Sequence, residues 1–299
     1  MTASGPAPAP PLDLAVARSR HLLATGVGVI PEDIEALAIS RCDTAAWVGP
    51  GTLRLLPGVH LSGPFEVDEQ ARTEFDLPRE AGSAYVLDCP QRRGHPLPAE
   101  LTGFDPVLDA FASGVLTGVE QEAVDHLRAM ARRLGGALRL AGSGAVVEPD
   151  PDSATDLTVH SPIWLEPDAC LAAIREVAPA ARDLMADVPA EAVSEEAMEI
   201  YGIGVPSGLD LIEITAAGSD APPLVLRGAD WALRGVISYS IRWRPADPAA
   251  MASRVPRNLR RPRAQAIALI EQLASVVYEA AGGAVCDDDG FLVDLADLH

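Results

Sequence analysis

The chain has 299 residues, length enough for about two ordinary domains, and 48% of them are apolar while only 4% are aromatic, so any core must be packed from Ala, Val, Leu and Ile. Against 43 acidic residues stand 23 basic ones, a net charge of −20 that excludes a surface built throughout to meet nucleic acid or anionic lipid. Every basic residue is arginine, and without lysine the chain can carry neither Schiff-base chemistry, nor lysine-bound pyridoxal phosphate, nor an ordinary P-loop.

Residues 1–11 read MTASGPAPAPP, a Pro/Ala tail with too little apolar surface to fold and without the basic start and apolar segment of a signal peptide. A short helix is expected from Leu12 to Ala24, with Leu14, Leu22 and Leu23 as its apolar members. A second should follow Pro31, where Pro-Glu-Asp places a proline in the first turn and acids at the positive end of the helix dipole. Trp47 to Val67 is dense in Gly and Pro around VGPGTLRLLPGVHL, which suits short strands and turns. Residues 12–80 therefore read as an irregular N-terminal region of short elements.

From Ser83 a rhythm begins. AYVLDC is a strand, and the helix Glu120 to Leu134 leads through Gly135 and Gly136 into a hairpin of ALRL and AVVE. LTVHSPIWL from Leu157 is a strand, Pro167 to Met185 a helix, and LDLIEITA from Leu209, PLVLRG from Pro223 and GVISYSIRW from Gly235 are further strands. The last helix opens at Pro262 and carries an apolar stripe of Ile267, Ile270, Leu273, Ala274 and Val277. Gly282 and Gly283 stop it, and AVC and FLV flank the turn Asp287-Asp288-Asp289-Gly290. Strands come in hairpins and outnumber helices. This predicts an α+β fold for 81–299, with an antiparallel or mixed sheet, helices on one face, and repeated strand–helix–hairpin units. The helix, double glycine and hairpin occur twice, which suggests an internal duplication over about 81–160 and 209–299. Nested βαβ units in that order would be a duplicated ferredoxin-like fold.

Two charge features are candidate surfaces. Arg254, Arg257, Arg260, Arg261 and Arg263 crowd the start of the last helix, where cations are unfavourable unless an anion joins them. Asp187, Glu191, Glu195 and Glu199 recur every fourth residue and, if helical, form a carboxylate ladder that an arginine-rich surface would relieve. For nucleophilic or acid–base chemistry the candidates are Cys89, with His95 six residues on, and His160, which alternates with Asp156 and Thr158 onto one strand face. The aspartates at 287–289 lack the alternate ligands and closing glutamate of a calcium loop. Gly202, Gly204 and Gly208 precede a strand rather than a helix, the reverse of a dinucleotide loop. With no paired cysteines or histidines at ligand spacing, no metal site or cofactor is expected, and Cys42, Cys89, Cys170 and Cys286 read as reduced core residues. The expectation is a cytoplasmic binding or interaction protein without assembled catalytic machinery. It would act on a protein partner or on itself, away from nucleic acid and membrane. The alternative is a small-molecule enzyme or ligand-binding domain that holds an anion at Arg254–Arg263.

Overall fold

The computed structural model describes residues 9–186, 200–252, 255–294 and 296. The chain divides into two units, Met1–Pro151 and Asp152–His299. Each is an α+β unit built on one seven-stranded antiparallel sheet.

In the first unit the central strand is His21–Gly26 (β1), hydrogen-bonded on one side to Ala81–Asp88 (β5) and on the other to Ala137–Arg139 (β6). Ala46–Gly49 (β2), Thr52–Leu56 (β3) and Val59–Glu66 (β4) continue the sheet beyond β5, and Val146–Val147 (β7) closes the other edge. Leu22 and Leu23 belong to β1, not to the helix expected over 12–24; that helix is only Leu14–Arg18 (α1). A strand buried on both faces shows no polar alternation, so its continuous apolar run imitates helix. Leu23 faces a core shared with Pro31–Arg41 (α2) and Gly118–Arg133 (α5), while Leu22 and Ala24 face a smaller core with Ala17 of α1 and with Ala71 and Phe75 of Glu69–Phe75 (α3). Helices thus cover both faces here, where one had been expected. The short Pro106–Ala110 helix (α4) adds Val107 to the larger core.

The second unit is centred on Leu157–Ser161 (β8), paired with Val236–Arg244 (β12) and Ala284–Asp287 (β13). Asp210–Ser219 (β11), Ile200–Ser207 (β10) and Arg182–Asp183 (β9) extend the sheet past β12, and Leu292–Val293 (β14) pairs with β13. Counted within each unit, both sheets run second, third, fourth, fifth, first, sixth, seventh. Seven strands in that order replace the four of a ferredoxin-like unit.

Pro167–Val177 (α6) and Arg260–Ala281 (α7) lie on one face of this sheet. Ile174, Ile270, Leu273 and Val277 are buried there against Val159, Ile214 and Tyr239; each such side chain stabilises the unit by about 1.5–3 kcal/mol. α6 ends eight residues short of Met185, because Pro179 offers no N–H and disfavours helix just before itself. α7 opens two residues before Pro262, whose missing N–H falls among the first four that have no partner inside a helix anyway. The stretch from Pro223 expected as strand is instead a 3-10 turn at Leu224–Leu226, packed with Ala232 and Val236. Two consecutive prolines before it remove the donors a ladder would need.

Both double glycines serve the same contact. A Cβ on Gly136 would lie 2.4 Å from the Ala24 carbonyl oxygen of β1, and one on Gly283, at φ +108°, would lie 1.9 Å from the His160 carbonyl oxygen of β8. In each unit the chain leaving the long helix passes directly against the central strand, and only glycine fits. Among the described residues all four sheet edges are short: β2 has four residues and β7, β9 and β14 have two each. Such edges offer little template for another strand.

Candidate functional site

Among the described residues, one buried group in the first unit brings together three side chains able to do chemistry, and no sequence motif marks it. His21 opens β1, Cys89 follows β5, and Glu120 sits in the first turn of α5. Their ligand atoms all lie within 4.8 Å of one another, and all three residues are buried. No sequence spacing links residues this far apart, and Glu120 alone reads as an acid suited to a helix start.

The hydrogen bonds define what this cluster can do. The Ala141 N–H donates to His21 Nδ1 at 3.2 Å, so the ring proton sits on Nε2, which donates to Glu120 Oε1 at 3.0 Å. Glu120 also accepts from the Arg92 N–H and the Arg93 guanidinium. Burial alone would push the Glu120 carboxyl up, but donation from His21, Arg93 and the Arg92 N–H outweighs it and holds the group below its ordinary range. The Arg93 guanidinium lies 4.4 Å over the Phe111 ring, which also meets His21 edge-on.

A metal at this place would need the Nε2 lone pair, hence a proton on Nδ1 pointing at the Ala141 N–H, and it would compete with Arg93 for Glu120. Metal-bound histidines normally do the opposite and donate from the second nitrogen to an acceptor. The cluster therefore fits a satisfied polar core better than a metal centre. Burial, then the Glu120 charge, pushes the Cys89 thiol up to about 11, which disfavours the thiolate a nucleophile needs. Its imidazole neighbour is His21. His95, the expected partner, is exposed and its carbonyl accepts from the Val115 N–H in a backbone pairing.

His160 is half-buried on β8, and its Nδ1 meets the Ser238 hydroxyl at 3.0 Å on the neighbouring strand. Burial lowers its pKa. Asp156 does not orient the ring; its carboxylate accepts from the Trp243 N–H at 2.9 Å and the Thr155 hydroxyl at 3.3 Å. The loop aspartates form a hairpin turn in which Asp287 accepts from the Phe291 N–H. Gly202 and Gly204 lie on β10 beneath the Leu184 side chain, which a Cβ on Gly204 would meet at 2.6 Å.

Of the arginine stretch, Arg257, Arg260 and Arg261 are exposed, whereas Arg263 is buried and its Nε donates to the Asp152 carbonyl at 3.1 Å. Arg254 lies outside the described residues, as do all four acids of the ladder, Asp187, Glu191, Glu195 and Glu199. α7 begins without a side-chain cap and without an acid in its first turn. Beside it a cleft of about 260 Å³ is bounded by the β10–β11 turn, the end of β12 and the first turns of α7. Leu209, Trp243, Pro245, Ala250, Leu259 and Pro262 make its wall apolar. Leu209, at the tip of the turn, is 93% exposed. Asp210 is held in place by donation from the Trp243 Nε1–H at 3.1 Å and the Ala246 N–H at 2.9 Å. An apolar hollow flanked along the chain by three exposed guanidinium groups can receive a ligand that is both apolar and anionic.

Comparison with protein-family models, with curated proteins and with solved structures finds no match to this chain. No helix among the described residues is long and apolar enough to cross a membrane.

Proposed function

We propose that this is a cytoplasmic binding protein whose second unit receives a partner chain presenting apolar and acidic side chains. The observation that carries the reading is the cleft beside α7, with its exposed Leu209 and the neighbouring Arg257, Arg260 and Arg261. On a chain of net charge −20, three exposed arginines within residues 257–261 offer acids an attractive place beside a cleft whose own lining includes Asp210 and Asp247. The short sheet edges turn the partner away from strand addition and towards this hollow. Four free, buried cysteines accord with a reducing compartment.

The second reading is a small anionic ligand, a carboxylate or phosphate ester, held by the same arginines at the uncapped start of the 22-residue helix α7. Fluorescence anisotropy separates the two. A labelled dodecapeptide alternating Glu and Leu should bind the full chain. It should lose at least tenfold in affinity to the Arg257→Ala/Arg260→Ala/Arg261→Ala variant, and equally when its Leu residues become Ser. Affinity unchanged in the triple variant would sink the partner reading; displacement by millimolar phosphate, with no loss for the Ser peptide, would favour the small anion.

A further inference from the structure

The first unit carries a second hollow of opposite character. It is a cleft of about 350 Å³ between the first turns of α2 and the β2–β3 turn, lined by Glu32, Glu35, Trp47, Pro50, Gly51 and Pro64 among others. We propose that this cleft binds an organic cation, a guanidinium or protonated amine, between the Trp47 indole and the carboxylates of Glu32 and Glu35.

Three observations carry this assignment independently of the reading of the second unit. First, neither glutamate has an ion pair or hydrogen bond among the described residues, although Glu35 is half-buried and arginines elsewhere in this unit find acids: Arg18 with Glu74, Arg20 with Asp88, Arg128 with Asp105. A half-buried carboxylate without a cation among the described residues offers a position that a ligand cation can fill. Second, Trp47 is packed at the edge of the larger core yet still lines the cleft, so a fixed aromatic surface stands opposite the acids. A cation near an indole face gains about 0.5–2 kcal/mol depending on how far it is desolvated. Third, the wall at Gly63 is backed by Tyr85. A Cβ on Gly63 would lie 2.8 Å from the Tyr85 ring, and the buried Tyr85 hydroxyl has no hydrogen-bond partner. Burial, then the charges of Asp33 and Glu32, pushes that hydroxyl up to about 12, which places it in the field of the same helix turn.

An alkali ion would be served poorly, since two spaced carboxylates and an indole do not make an oxygen cage. A planar, weakly hydrated guanidinium suits an aromatic wall with acids at its rim. The hollow is also bordered by Pro31, Pro50 and Pro64, which present rigid apolar edges to the stem of a side chain.

Calorimetric titration of the full chain tests this with three probes: agmatine as a free guanidinium, acetyl-Pro-Arg-Pro-amide as a peptide-borne one, and the citrulline counterpart of that peptide as a neutral control of the same shape. The expected result is one site per chain for the arginine peptide, at least tenfold weaker binding of the citrulline peptide, a loss of about fivefold or more in Trp47→Leu, and a larger loss in Glu32→Gln/Glu35→Gln. Agmatine matching the arginine peptide identifies a small amine as the natural ligand, and a clear preference for the peptide identifies a protein segment; either supports the site. Equal binding to wild type and the double glutamine variant would overturn it. So would arginine-peptide binding that Trp47→Leu leaves unchanged while 0.15 M salt abolishes it, since that is the diffuse attraction expected of any chain this acidic. Far-ultraviolet circular dichroism of each variant establishes that it is folded.

Discussion

Replacing Glu120 with Ala tests the account of the buried polar cluster. The change leaves the His21 Nε2–H, the Arg92 N–H and the Arg93 guanidinium without their acceptor, and Glu120 itself is fully buried. Removing one partner of a buried ion pair costs about 3–5 kcal/mol. The Arg93 side chain is 30% exposed and can recover some hydration, which places the expected loss near the lower end, about 3 kcal/mol. In a unit of this size that lowers Tm by roughly 6–12 °C. Circular dichroism gives the melting curve, and hydrogen exchange read peptide by peptide assigns the loss to β1, β6 and the start of α5 rather than to the second unit. Glu120→Gln, which keeps the shape and loses the charge, should fall between. The measurements should be the same with and without chelator, and zinc should not stabilise wild type. A metal site saturated at 100 times its dissociation constant would add about 2.7 kcal/mol, so a zinc-dependent rise in Tm, or an Ala variant within about 1 kcal/mol of wild type, would refute the reasoning.

His126 should make the first unit acid-sensitive. Burial, then the Arg41 charge, lowers its pKa from 6.5 to about 4, while Arg41 Nε donates to its Nδ1 at 3.2 Å. Between those values the unfolded chain binds the proton and the folded one does not, so stability is whole above about pH 6.5 and is lost as pH falls towards 4, by up to about 3 kcal/mol. Urea melts of His126→Gln, compared with wild type at pH 7 and pH 4.5, should show a smaller acid loss; an identical loss would contradict the assignment. Gly283→Ala should destabilise the second unit by several kcal/mol or prevent its folding, since the new Cβ meets the His160 carbonyl at 1.9 Å. Gly290→Ala, in a turn with open space around it, should cost about 1 kcal/mol, and equal effects of the two changes on urea midpoints would argue against the close approach. Thiol titration with an aromatic disulfide at pH 8 should be slow for all four cysteines until denaturant is added. Burial pushes Cys42 and Cys286 up to about 12 and Cys89 up to about 11; one thiol reacting rapidly in the native protein would show an activated cysteine.

The features legible in the sequence were those fixed by local chemistry. The Gly282-Gly283 stop of α7 and the hairpin behind it depend on neighbours in the chain and stand where they were expected; of the expected stripe Ile270, Leu273, Ala274 and Val277 are buried, while Ile267 is only half-buried and Ala266 takes the inner place. β1 was missed because HLLATG is buried on both faces, so tertiary position rather than periodicity decides its conformation. α6 is shorter than its apolar pattern, which continues past Val177 although Pro179 ends the helix. The His21–Cys89–Glu120 cluster was invisible for another reason: three separate elements supply it, and only the strand order brings them together. Cys89 drew attention as a thiol near a histidine, yet the histidine that matters lies on the adjacent strand. Trp47 and Glu35 gave no signal at all, since a lone tryptophan and a helix-start glutamate are ordinary in isolation.

The most direct test of the proposed partner site is hydrogen exchange of the full chain with and without the Glu/Leu dodecapeptide. Protection confined to the β10–β11 turn around Leu209, the end of β12 at Trp243–Ala246 and the first turns of α7 is the result the account predicts. Protection elsewhere, or none at peptide concentrations that saturate the anisotropy signal, would contradict it.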